Sequence, residues 1–169
     1  MSCTEIYSFD RNGDAYPYAE VKNAWRGAMA IWRIMEARHL PPVSCSRLMN
    51  PREAGAVWNL CDDKSVPEHE RIVMLSTMDK CLVKKENLAR LIEAFRKFEG
   101  DTSLPEQADI LEKLLEDEDC IAVGWNQTSV TVPFWIRFDE EKDEEAPYNC
   151  LHREEHFWLF EDLDGKEER

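Results

Sequence analysis

The chain has 169 residues, with 21 Lys and Arg against 35 Asp and Glu, a formal net charge of −14. That length suits one domain, which can bury roughly 70% of its unfolded surface, and a hydrophobic content of 43% with six Trp is too rich for a disordered chain. No apolar run approaches the ~20 residues of a membrane span, no basic segment leads into an apolar signal stretch, and nucleic-acid binding by the whole surface would need a basic field.

Thr4–Phe9 alternates polar and apolar residues, and Asn12-Gly13 follows as a hairpin turn signal. Ala15–Val21 then reads as the return strand. Pro17 has no backbone donor, so this strand should lie at a sheet edge or carry a bulge. From Asn23 to Arg38 the spacing of Trp25, Ala28, Met29, Trp32 and Met35 predicts a helix. Pro41-Pro42 ends it and opens a loop, the candidate hinge of the chain. Asn50-Pro51-Arg52-Glu53 starts a short helix with Ala54, Val57, Trp58 and Cys61 on its apolar face. Ile72–Leu75 is expected as a buried strand that pairs with Cys81–Val83 across a turn. Glu86–Phe98 is the clearest amphipathic helix, closed by Gly100. Ser103–Glu106 opens another that runs to about Asp117. Residues 120–125 and 128–138 then read as a β-hairpin, and His156–Phe160 as a last strand.

The elements add up to a single α+β domain, a mixed or antiparallel sheet packed against about four helices. The six cysteines lie sixteen or more positions apart, so no Cys-x-x-Cys pair seeds a zinc or redox site. They read as reduced thiols of a cytoplasmic protein.

The charge is unevenly spread. Residues 1–100 carry 15 basic and 14 acidic side chains, whereas residues 101–169 carry 6 and 21. The acidic excess concentrates in Glu116, Asp117, Glu118 and Asp119, and in Asp139, Glu140, Glu141, Asp143, Glu144 and Glu145. Carboxylates spaced like phosphates can occupy a basic groove built for a nucleic-acid backbone. The competing interpretation is a solvated surface that confers solubility. The two runs flank the expected 120–138 hairpin, which would bring both to one of its ends. Trp135 and Trp158, on expected strands beside the runs, are the candidate apolar anchors. Trp25, Trp32 and Trp58 instead fit helical core faces. Arg26, Arg33, Lys84, Lys85, Arg90, Arg96 and Lys97 form a modest basic patch or the solvated faces of helices.

Enzymatic signatures are sparse. His152 and His156, four apart, are the weak metal candidates, but the order His-Arg-Glu-Glu-His is not the zincin pattern. Asp109, Glu112 and Glu116, or the acidic runs, could serve a Mg²⁺-dependent nuclease, yet no spacing selects a set. No nucleophile elbow or Gly-rich loop is present. A binding role is therefore put ahead of an enzymatic one, with no cofactor unless the nuclease alternative brings Mg²⁺.

Thr4-Glu5-Ile6-Tyr7-Ser8-Phe9, followed by Lys22-Asn23-Ala24-Trp25-Arg26-Gly27-Ala28-Met29-Ala30-Ile31-Trp32, resembles small proteins carried on mobile elements and phages of Gram-positive bacteria. Some of these are anti-CRISPRs, inhibitors of the type II RNA-guided effector nuclease. The resemblance spans roughly residues 3–40, with weaker stretches at 70–99 and 104–127. It implies a protein acting in the bacterial host cytoplasm that binds the effector, its guide RNA, or both. Acidic nucleic-acid mimics and guide-RNA-cleaving enzymes both occur among such inhibitors, and no catalytic residue transfers. An unrelated protein partner is the third possibility.

Overall fold

A computed structural model describes residues 3–22, 27–127, 134–139 and 143–165. The N-terminal hairpin forms as its pattern demands, with β1 (Cys3–Phe9) antiparallel to β2 (Ala15–Lys22). Its turn is held by the Asp10 carboxylate, which accepts from the backbone N–H groups of Asn12 at 2.8 Å and Asp14 at 3.1 Å. Gly13 takes a φ of 86°, and a Cβ there would strike Leu151 at 2.6 Å. The β1–β2 register shifts between Ile6 and Tyr7, opposite Pro17, so the proline sits beside a bulge on an edge strand.

Helix α1 (Ala28–His39) buries Ala28, Ile31 and Met35. The region of Trp25 lies outside the described residues. A 3-10 turn at Arg47–Met49 leads to α2 (Ala54–Trp58). At the start of α2, the Asn50 side chain accepts from Arg52 N at 3.1 Å and donates to Glu53 Oε1 at 2.9 Å. Residues 72–75 are not a strand. They belong to α3 (Glu68–Ser76), which follows Pro67 and carries Glu68 and Glu70 in its first turn. Every residue from Glu70 to Ser76 is buried, because α3 packs against α1, α4 and α6. A helix covered all round shows no polar face, so its apolar run resembles a buried strand.

The strand β3 (Cys81–Lys84) therefore finds other partners. It pairs antiparallel with β4 (Ala122–Asn126) and parallel with β7 (Phe157–Trp158). Between them, α4 (Leu88–Lys97) buries Leu88, Leu91, Ile92 and Phe95, and α5 (Leu104–Glu116) buries Leu104, Ala108, Leu111 and Leu114. The chain ends its described part in α6 (Leu159–Gly165).

The resulting mixed sheet has five strands in the order β2-β1-β4-β3-β7. Strand alternation divides its side chains between two layers. Ile6, Val21, Cys81, Val83, Val123 and Trp125 face the helices. Tyr7, Phe9, Leu82 and Ala122 face a second, aromatic layer built from Trp135, Tyr148 and Cys150. The latter layer belongs to the segment that carries a separate two-stranded sheet, β5 (Ile136–Asp139) with β6 (Glu144–Pro147). The described parts of 120–138 do not pair with each other: β4 pairs with β1 and β3, and β5 pairs with β6, while residues 128–133 of the expected second strand lie outside the described residues. The architecture is α+β, with four helices of nine residues or more among the described residues. Among the described residues, no helix is long and apolar enough to cross a membrane.

Candidate functional site

The first acidic run sits where α5 gives way to β4. Glu116 is the last helical residue, Asp117 caps it, and all four carboxylates of 116–119 are exposed. Carboxylates at a helix C-terminus face the negative end of the helix dipole, which disfavours them by ~0.3–1 kcal/mol each. Helix stability therefore does not explain their presence. Local contacts hold the turn: Asp119 N donates to Asp117 Oδ1 at 2.9 Å, and Lys85 Nζ donates to the Asp117 carbonyl. Arg11, from the β1–β2 turn, reaches the Glu118 carbonyl at 3.3 Å and lies 3.1 Å from Asp119 Oδ1.

The described part of the second run lies at the end of β5 (Asp139) and at the start of β6 (Asp143, Glu144 and Glu145). Cross-strand register sets Phe138 opposite Glu145 and Asp139 opposite Glu144. Asp143 turns the chain with a φ of 54°, a left-handed conformation that Asp tolerates better than most residues. Asp143, Glu144 and Glu145 are exposed and have no ion-pair partner among the described residues. Glu140 and Glu141 lie outside the described residues. The two acidic runs therefore belong to different turns rather than to the mouth of one hairpin. The first is tied to the β1–β2 turn, and the second projects on its own ribbon.

The base of that ribbon is packed into the aromatic layer. Trp135 is fully buried, its ring edge-on to Phe9 at 5.3 Å, Phe134 at 4.7 Å and Tyr148 at 5.2 Å. Its Nε1 donates to the Trp125 carbonyl at 2.9 Å. Trp135 is thus a core residue and not a surface anchor. The side chain exposed beside the carboxylates is Phe138, with 59% of its surface open. Alternation over residues 135–139 puts Trp135 and Phe138 on opposite faces, but only the packing decides which of them is buried. Trp158 is half-buried, with Lys84 Nζ 5.1 Å from its ring centre and the His156 ring at 4.9 Å. Trp58, expected in the core, is 39% exposed and rests edge-on against half-buried Trp32.

Four cations of the expected basic patch are paired with neighbouring carboxylates. Lys84 meets Glu161, Arg90 meets Glu68 and Asp164, Arg96 meets Asp109 and Glu112, and Lys97 meets Glu93. Asp109 and Glu112 thereby act as surface ion-pair partners, each 2.8 Å from Arg96. His152 is exposed, and His156 turns Nδ1 to the Tyr148 hydroxyl at 2.8 Å. Burial lowers the His156 pKa, against the opposing effect of Glu155 and Glu161. Among the described residues, no group of three or more His, Cys, Asp or Glu is placed to hold a metal ion. Comparison of the chain with protein-family models, curated proteins and solved structures finds no match.

Proposed function

We propose that the protein is a binding inhibitor of the anti-CRISPR kind, which applies its acidic surfaces to a basic nucleic-acid-binding face of a type II effector nuclease. The resemblance of residues 3–40 supplies the class of partner. The observation that carries the mode of binding is the β5–β6 ribbon, where exposed Phe138 lies opposite Glu145 and beside Asp143 and Glu144, carboxylates with no ion-pair partner among the described residues. Such effectors hold RNA and DNA in positively charged channels. Carboxylates there raise the association rate and make binding salt-sensitive, while a desolvated aromatic anchor slows dissociation.

The test incubates the protein with a type II effector, guide RNA, target DNA and Mg²⁺, then follows target binding and guide length on a denaturing gel. The expected outcome is an intact guide with blocked target binding, relieved as salt rises. The triple variant Asp143→Lys, Glu144→Lys, Glu145→Lys should lose most inhibition, and Phe138→Ala should lower it about tenfold or more. A shortened guide would instead assign the metal-dependent nuclease activity. Absence of binding to any type II effector would leave an unrelated protein partner.

A further inference from the structure

Arg33, one of the cations of the expected basic patch, is exposed and has no ion-pair partner among the described residues. It stands at a cleft of about 340 Å³ between the outer face of α1 and the loop that follows. Apolar groups form most of the wall, from Ala37 and Leu40 on one side to Pro41, Pro42 and Val43 on the other. Val43 is 45% exposed, although nothing about a connecting loop requires an apolar side chain in water.

The cleft is braced from below. Glu36, only 8% exposed, accepts from Ser46 Oγ at 2.5 Å and from Arg47 N at 2.7 Å, and its Oε1 lies 3.4 Å from Arg47 Nη1. Arg47 also donates to the Pro41 carbonyl at 2.9 Å. The loop expected as a hinge is therefore fastened to α1 at both ends. Burying a carboxylate carries a desolvation penalty that a mere linker does not need. The brace fixes Pro41 and Ser46-Arg47 against α1, on either side of the concavity. The Glu36 and Arg47 charges cancel, so Arg33 leaves the cleft with a net positive charge inside a chain of net −14.

We infer that this cleft binds a small organic carboxylate with an apolar body of one or two rings. The body lies against Leu40, Pro42 and Val43, and the carboxylate meets the guanidinium of Arg33, whose planar fork matches it. The volume is at the small end of the ~300–1,000 Å³ range of ligand pockets, which limits the ligand to about that size. This site is separate from the acidic surfaces and does not depend on the function proposed for them.

The test titrates ¹⁵N-labelled full-length protein with naphthalene-2-carboxylate and with its neutral isostere, naphthalene-2-carboxamide. The carboxylate should shift the amide signals of Arg33, Ala37 and Val43 and bind about fivefold more tightly than the carboxamide. Arg33→Gln should bring the carboxylate down to the affinity of the carboxamide. Ala37→Trp, a change at an exposed helical position, should fill the cleft and abolish binding of both. Equal affinity of the two probes for the wild-type protein would overturn the inference. So would a carboxylate preference that survives Arg33→Gln, shifts centred away from the cleft, or no shifts at all.

Discussion

Two aromatic residues three positions apart on the same ribbon should behave in opposite ways when truncated. Trp135→Ala removes a fully buried indole that touches Phe9, Phe134 and Tyr148 and deprives the Trp125 carbonyl of its donor. Large-to-small changes of this kind cost about 3–5 kcal/mol. For a domain of this size each kcal/mol is worth ~2–4 °C, so the melting temperature should fall by about 10 °C or more. Trp135→Phe keeps most of the apolar contact and should lose ~1–2 kcal/mol, chiefly the hydrogen bond to Trp125. Phe138→Ala, at a mostly exposed position, should stay within ~0.5 kcal/mol of wild type, while weakening partner binding. Guanidinium unfolding followed by circular dichroism reads all three. A Trp135→Ala midpoint within ~1 kcal/mol of wild type would refute the packing argument, as would a large stability loss from Phe138→Ala.

Gly124→Ala would place a Cβ 2.7 Å from Leu82 Cδ2 and 3.0 Å from the Trp135 ring, and should destabilise by ~1–3 kcal/mol; combined with Trp135→Ala the two losses should be less than additive in a double-mutant cycle. Glu36 is held below the usual carboxylate range by its hydrogen bonds from the Ser46 hydroxyl and the Arg47 amide, against the opposing effect of burial. A depressed folded-state value means that the stabilisation is full above the ordinary value of 4.5 and is lost as pH falls through the lower folded one. Glu36→Gln should therefore cost ~1–3 kcal/mol at pH 7, with the gap to wild type closing below pH 4.5 in unfolding curves; a gap independent of pH would contradict this. Cys45 is exposed, whereas Cys61, Cys81, Cys120 and Cys150 are buried, and burial raises the thiols of Cys81, Cys120 and Cys150, the last to about 11. A chromogenic disulfide reagent at pH 7.5 should consume Cys45 first and half-buried Cys3 more slowly, and Cys45→Ser should remove the fast phase.

Local chemistry was legible wherever one face of an element is buried and the other is wet. The alternation of β1, the edge position and bulge at Pro17, and the amphipathic helices α4 and α5 follow from residue spacing, because a half-buried element must repeat with its own geometric period. The acidic excess of residues 101–169 was equally plain, as was the α+β class.

Three features were settled only by tertiary packing. The run Ile72–Leu75 became helical because α1, α4 and α6 cover α3 on all sides, and total burial erases the period that separates helix from strand. The partners of β4 came from distant segments, β1 more than a hundred positions away and β3 about forty, and such pairing leaves no local trace. Trp135 turned inward and Phe138 outward because the ribbon carrying them must seal the aromatic face of the sheet, which a single strand's alternation cannot announce. The sequence by itself determined how much negative charge there is and in which segments. Only the tertiary structure decided that this charge appears on two separate turns, one with an exposed phenylalanine among its carboxylates.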